Sequence, residues 1–302
     1  MSSLLVKAIK KAYEAGQEDE ALEPIIAVSS SGQPLGRFED GHYVIFYDIR
    51  GEREVELTES LVNRNFDRFP LKKDLNLNFV TMIEYSPALK ARVAFPSEKK
   101  VNNTLAEVIS KSGLRQLKIA ESEKAIHIGF FMNGRSEEIF PGEERIIVPS
   151  AHGLSSYALK PEMSAAQIAE EISNSLKDPS YPLITANLAN VDVVGHVEDK
   201  AAVLRAVEEV DRQLGRIIDD CRSQGITLVV TSDHGTVEEW LYADGSINTG
   251  HTKNPVPFIL SDFSSQKPNL RQLKAQGELS DVAPTILELL GLEKPLEMSG
   301  ES

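Results

Sequence analysis

Ile226-Thr-Leu-Val-Val-Thr-Ser-Asp233-His234-Gly235 is an apolar, β-branched run that ends abruptly in an acid, an imidazole and a glycine. Bounded by Gly225 and Gly235, it predicts a strand covered on both faces, of the kind found in parallel sheets between helices. Ligand sites in such sheets lie at the carboxyl ends of strands, so Asp233 and His234 stand where chemistry is expected. Gly235 permits a sharp turn, which lets two adjacent side chains converge on one ion.

Two other clusters share this character. Asn187-Leu-Ala-Asn-Val-Asp192-Val-Val-Gly-His196 follows the run Tyr181-Pro-Leu-Ile-Thr-Ala and sets Asp192 and His196 four residues apart, on one face of a helix. Thr249-Gly250-His251-Thr252 lies in a polar loop just before Pro255-Val-Pro-Phe-Ile-Leu, a short strand. Two carboxylates and three imidazoles at strand ends make a mixed nitrogen and oxygen ligand set suited to zinc or manganese. Each of these residues alone reads as a cap or a hydrogen-bonded core group. The grouping is what points to a metal, because three of the chain's six histidines fall between positions 196 and 251.

At 302 residues and 41% hydrophobic content, the chain can bury one large or two medium cores. A formal charge of −14 argues against a surface for nucleic acid or an anionic membrane, since both need a basic patch. The lone Cys221 excludes an internal disulfide and a thiolate cluster. No apolar stretch reaches the length of a membrane span, and Met1-Ser-Ser-Leu-Leu-Val-Lys lacks the apolar core of a signal peptide. A cytoplasmic protein is the expectation.

In chain order, residues 2 to 15 predict an amphipathic helix stopped by Gly16, and Ile25-Ile-Ala-Val predicts a strand. His42-Tyr-Val-Ile-Phe-Tyr-Asp-Ile-Arg50 predicts a second strand leading to Arg53. Arg50 and Arg53 can grip a phosphate or carboxylate with planar forks of donors, or form a solvated turn with Glu52, Glu54 and Glu56. A helix over 54–64 and a strand from Asn78 follow, then a polar linker near Phe95-Pro96-Ser-Glu-Lys-Lys. The linker divides residues 1–97 from residues 98–302.

Beyond it, Thr104 opens a helix closed by Gly113, Ser164 caps a helix over 165–176, and 198–223 forms the longest helix. Lys124 is either a phosphate-binding cation or a surface partner of Glu121 and Glu123. Asp281 begins a last helix that Gly291 stops. Strands alternating with helices define an α/β protein.

The strings Asn190-Val-Asp192-Val-Val-Gly-His196, Ser232-Asp233-His234-Gly235, Gly250-His251-Thr252-Lys-Asn-Pro-Val-Pro and Gly277-Glu-Leu-Ser-Asp-Val-Ala-Pro together resemble cofactor-independent phosphoglycerate mutase, within the alkaline phosphatase superfamily. Tyr13-Glu-Ala-Gly, Arg50-Gly-Glu-Arg53, Arg115-Gln-Leu-Lys-Ile-Ala-Glu-Ser-Glu-Lys124-Ala-Ile-His127 and Pro161-Glu-Met-Ser-Ala look like that family's motifs in the family's order. The resemblance implies an alkaline-phosphatase-like parallel-sheet domain over 98–302, preceded by the remainder of a second α/β, phosphotransferase domain. It implies two manganese ions, one held by Asp192, His196 and His251 and the other served by Asp233 and His234. Arg50 and Arg53 would hold the phosphoglycerate, and Lys124 would touch the phosphoryl group.

In the family a serine attacks the phosphate of 3-phosphoglycerate and returns it to the 2-hydroxyl. That serine, one metal-ligating aspartate and further arginines lie in the family's amino-terminal part. The resemblance therefore places this chain in the carboxyl-terminal portion, about three-fifths, and implies a complementary amino-terminal chain as partner. The alternatives are a non-catalytic metal-binding subunit or pseudoenzyme, or a metallophosphatase using water as nucleophile. Three positions depart from the family's pattern: Ser150-Ala-His152-Gly replaces a Ser-Pro-Lys run, Ala125-Ile126 replaces Tyr-Ala, and Thr236 replaces Asn after Asp-His-Gly.

Overall fold

The computed structural model describes residues 4–17, 22–49, 54–63, 65–71, 75–96, 100–151, 153–248, 250–264 and 273–302. The chain divides into two compact units, Met1–Lys99 and Lys100–Ser302.

The first unit holds helix α1 (Leu4–Glu14), helix α2 (Glu54–Val62) and a parallel sheet of β1 (Tyr43–Phe46), β2 (Asn78–Ile83) and β3 (Arg92–Phe95), in that order. The central strand β2 buries Phe79 and Thr81, and Phe46 meets Phe79 and Tyr85 edge to face. The expected strand at residues 25–28 is reduced to one antiparallel bridge, Val28 to Pro34. The intervening Ser29-Ser-Ser-Gly turn folds the chain back before a ladder can extend, with Gln33 donating to Ser29 Oγ.

The second unit is built on β4 (Gln116–Glu121), flanked in parallel by β5 (Glu143–Val148) and β6 (Leu183–Ala186). Leu117 and Ile119 of β4 point to one face, where α4 (Ala165–Ser175) and α6 (Lys200–Gln224) cover them with Ile168, Ala169, Ile172, Ile217 and Cys221. The opposite face carries polar residues. Gln116 Nε2 donates to the carbonyl of Ala106 in α3 (Leu105–Lys111) at 2.8 Å, and Lys118 donates to Asn133 Oδ1. Lys118 Nζ also lies 3.3 Å from Glu143 Oε1, which Arg145 Nε approaches at 2.6 Å, and both Lys118 and Glu143 are buried. A charged network thus occupies the inner layer of the central sheet, with every member paired.

Helix ends follow the sequence signals. Asp199 caps α6 through Ala202 N at 3.0 Å, and Gly225 ends it in the left-handed conformation, φ 68°. Ser164 precedes α4 as expected, but its hydroxyl donates to Pro149 O instead of capping. That bond ties the helix start to the end of β5, which explains why the hydroxyl is not spent locally.

The run from Ile226 forms β7 (Leu228–Thr231), half-buried and antiparallel to β8 (Phe258–Ser261), so the expectation of a parallel strand covered on both faces does not hold there. The parallel pairing belongs to β4, β5 and β6. Among the described residues, β6 pairs only with β4 and β7 only with β8, and both unpaired edges line one cleft of ≈ 1960 Å³. Its walls include Leu214 and Ile217 of α6 and Ile286 and Leu289 of α7 (Val282–Leu289). No described helix is long and apolar enough to cross a membrane.

Candidate metal centre

Four side chains with ligand chemistry, Asp192, His196, His234 and His251, converge where β6 and β7 end and β8 begins. Helix α5 (Asn190–Gly195) follows β6 and is fixed at both ends. The buried Asn190 amide donates to Pro161 O at 2.9 Å, while Val194 and Ala189 pack against Ala202, Val203 and Ala206 of α6. Asp192 in its first turn and His196 at its end therefore share a face, as their spacing requires. Asp192, His196 and His251 offer ligand atoms that all lie within 4.8 Å of one another.

Asp192 Oδ1 is the focus. His251 Nε2 lies 3.2 Å away, His196 Nε2 3.3 Å and His234 Nε2 3.8 Å. The oxygen is shielded from solvent, yet none of these nitrogens is aligned to hydrogen-bond to it. The other carboxylate oxygen accepts from Lys124 Nζ, at the end of a 3₁₀ turn directly after β4. Lys124 is buried, so the alternative of a surface pair with Glu121 and Glu123 does not apply. Burial opposes ionisation of Asp192, but His196 and Lys124 outweigh it and hold the carboxyl well below its ordinary value.

The surroundings of His234 and His251 are those a metal-binding imidazole needs. His234 Nδ1 lies 3.3 Å from Gly235 O, which can only accept, and 3.2 Å from Thr236 Oγ1. This arrangement favours the proton on Nδ1 and leaves the Nε2 lone pair facing Asp192. The His234 and His251 rings stack with centroids 3.6 Å apart. Burial, reinforced by His234 and opposed by Asp192, lowers the His251 pKa below 6.5, so the ring is neutral at neutral pH. A buried carboxylate oxygen without a hydrogen bond, ringed by imidazole nitrogens, fits a divalent cation at their centre.

The remaining sequence-selected residues are placed less centrally. Asp233 is 65% exposed at the rim, with Oδ2 3.7 Å from His234 Nε2. Arg50 and Arg53 lie outside the described residues. Sequence reasoning missed the direct pairing of Lys124 with Asp192, which joins positions 68 residues apart.

It also missed Glu121, buried at the end of β4. Glu121 Oε2 accepts from Ser164 N at 3.2 Å, which anchors the turn bearing Lys124 to the start of α4. Burial raises the Glu121 pKa above 4.5 against the Ser164 and Ser150 hydrogen bonds. In the window between 4.5 and that raised value the folded chain binds more protons than the unfolded one, so this group's contribution to stability falls as pH rises. Urea unfolding at a series of pH values is expected to show that slope in the native chain and its loss in Glu121→Gln; an identical slope in both removes the assignment.

Comparison with known proteins agrees with this geometry. A family model described as the metalloenzyme superfamily matches residues 14–294. The 2,3-bisphosphoglycerate-independent phosphoglycerate mutase of Methanococcoides burtonii is 42% identical over 299 residues, covering 98% of this chain and 56% of its own length. The enzyme of the same description from Thermomicrobium roseum is 43% identical over 300 residues, covering 98% and 57%. Among solved structures, the phosphoglycerate mutase of Leishmania mexicana at low cobalt concentration superposes with a TM-score of 0.83 at 26% identity, covering 98% of this chain and 57% of that one. The shared architecture is the α/β, alkaline-phosphatase-like fold with parallel sheets. The chain spans a little over half the length of the curated relatives it matches. With most of its length matched and its acids and imidazoles gathered at strand ends, the chain belongs to the metalloenzyme superfamily.

Proposed function

We propose that this chain is the metal-holding part of a phosphoglycerate mutase and serves the interconversion of 3-phosphoglycerate and 2-phosphoglycerate in glycolysis, in the cytoplasm. The observation that carries the reading is the buried Asp192 Oδ1, faced by three imidazoles while Lys124 holds the other oxygen. Asp192, His196 and His251 would hold one manganese ion, and Asp233 and His234 would serve a second. Zinc suits the same donors. A bound divalent ion supplies positive charge that stabilises phosphoryl oxygens as their charge redistributes.

Lys124 has two tasks in this reading. It keeps Asp192 ionised, and its remaining ammonium donors face the cleft it lines, where they can take a phosphoryl oxygen. Arg50 and Arg53 would bind phosphoglycerate through paired guanidinium donors. Met1–Lys99 then corresponds to the phosphotransferase side and Lys100–Ser302 to the phosphatase-like side.

A complementary segment carrying the serine nucleophile and a further aspartate belongs to the proposal. Its place is the apolar cleft between β6 and β7, whose two unpaired edges can each accept a strand and which has Lys124, Asp192 and His234 on its lining. The test is mutase activity of the purified chain with manganese, with and without the amino-terminal part of a relative supplied in trans. Conversion that appears with the added segment and disappears in His251→Ala supports the reading. No conversion at any ratio, or conversion that survives His251→Ala, defeats it.

A further inference from the structure

Three segments bring ligands to the centre: α5 with Asp192 and His196, the turn 233–236 with His234, and the loop 250–254 with His251. The last two are irregular, and loops do not hold ligand geometry without support. Their principal link is Glu238, in the short turn Val237–Glu239. Its Oε2 accepts from Thr236 N at 2.7 Å, while Oε1 accepts from the Thr252 hydroxyl and from Asn254 Nδ2 at 3.2 Å. Beneath the carboxylate, Thr252 N donates to Gly235 O at 2.9 Å. A methyl group at Gly235 would meet both Glu238 Oε1 and Thr252 Oγ1, so the clamp lies directly across that glycine.

The clamp reaches all three segments. Thr236, held by Glu238, places its hydroxyl beside His234 Nδ1 and its methyl against α5, where a Cβ on Gly195 would come within 2.9 Å of Thr236 Cγ2. Thr252, held by the same carboxylate, adjoins His251. The near-parallel stack of His234 on His251, 14° between planes, is the geometry this link maintains. The Thr252 hydrogen bond, outweighing burial, keeps the Glu238 carboxyl below its ordinary pKa, as expected of an anion held by several donors.

We infer that Glu238 is a positioning residue for the metal centre, a non-ligating carboxylate that fixes the relative placement of His234 and His251. This rests on the metal reading above. Partners of ligands tune affinity without touching the ion, and losing one costs about 10–100-fold in metal affinity. Thr236 and Thr252 contribute as the groups through which the carboxylate acts.

The experiment is titration of the purified chain with cobalt, read by its visible absorption, for the native chain, Glu238→Ala, Glu238→Gln and Thr252→Val. The native chain is expected to give a saturable band. Glu238→Ala is expected to bind about 10–100-fold more weakly with an altered band. Glu238→Gln keeps the volume but only one of the two acceptor oxygens, so its affinity should lie between those of Glu238→Ala and the native chain. Thr252→Val, which removes one donor at constant shape, should fall between. If Glu238→Ala melts earlier yet keeps native affinity and spectrum, the role is structural only and the inference is overturned. Should Glu238→Ala fail to fold, native affinity in Thr252→Val overturns it instead. No band from the native chain overturns the metal reading and this inference together, whereas a native band with unaffected variants overturns this inference alone.

Discussion

Asp192→Asn is expected to abolish the stabilisation of this chain by divalent metal. Binding to the folded state alone stabilises by about 2.7 kcal/mol at a hundredfold excess over Kd. For a unit of this size each kcal/mol shifts Tm by roughly 2–4 °C, so saturating manganese should raise the native melting temperature by roughly 5–10 °C. Asp192 is the only carboxylate in the compact cluster, and all three imidazoles face its Oδ1. Replacing that carboxylate leaves only imidazole nitrogens around the position, and these hold a hard ion poorly. Differential scanning fluorimetry with and without manganese decides it. A full shift in Asp192→Asn would move the centre elsewhere in the chain.

The second large effect concerns the charged layer beneath the sheet. Glu143→Leu is expected to destabilise the chain by about 3–5 kcal/mol, the usual cost of removing one partner from a buried ion pair. Lys118 is 2% exposed and pairs with Glu143 at 3.3 Å, so its ammonium would lose its counter-ion with no path to water. Arg145 is more exposed and can reach solvent. The double variant Lys118→Met with Glu143→Leu is therefore expected to recover most of the loss. Urea midpoints across the double-mutant cycle measure this, and a single variant costing under about 1 kcal/mol would mean the pair is solvated.

The pH dependence follows in sign. Burial, with Arg145 adding to it and Glu143 opposing, lowers the Lys118 pKa below 10.5. Below the folded pKa the penalty of the buried charge is fully present, and it is relieved as pH rises toward 10.5, because the unfolded chain retains the proton longer. Removing Glu143 removes an opposing influence and widens that alkaline window.

Local signals in the sequence carried much of this structure. The four-residue spacing of Asp192 and His196, the threonine cap at Thr104 and the glycine at Gly225 each act within one helix, and each appears where short-range rules put it. The five acids and imidazoles stood out as a candidate ligand set because they sit beside apolar runs, whereas the grouping of Asp192, His196 and His251 came from the family resemblance. What was not legible depends on distant neighbours. The β7 run reads the same whether its partner is parallel or antiparallel, and only the pairing with β8 decides. The hydroxyl of Ser164, the ammonium of Lys118 and the carboxylate of Glu238 were each claimed by groups that no periodicity reveals. Arg50 and Arg53 lie outside the described residues.

The cleft between β6 and β7 gives its ligands different calorimetric signatures. A strand seated against Leu214, Ile217, Ile286 and Leu289 would dehydrate an apolar trough, so its binding enthalpy should become steeply more exothermic with rising temperature. A small phosphorylated acid binding at Lys124, as proposed above, would exchange polar contacts for polar contacts and should show little such slope. The heat capacity of association therefore reports which of the two a given molecule occupies, the trough or its charged end.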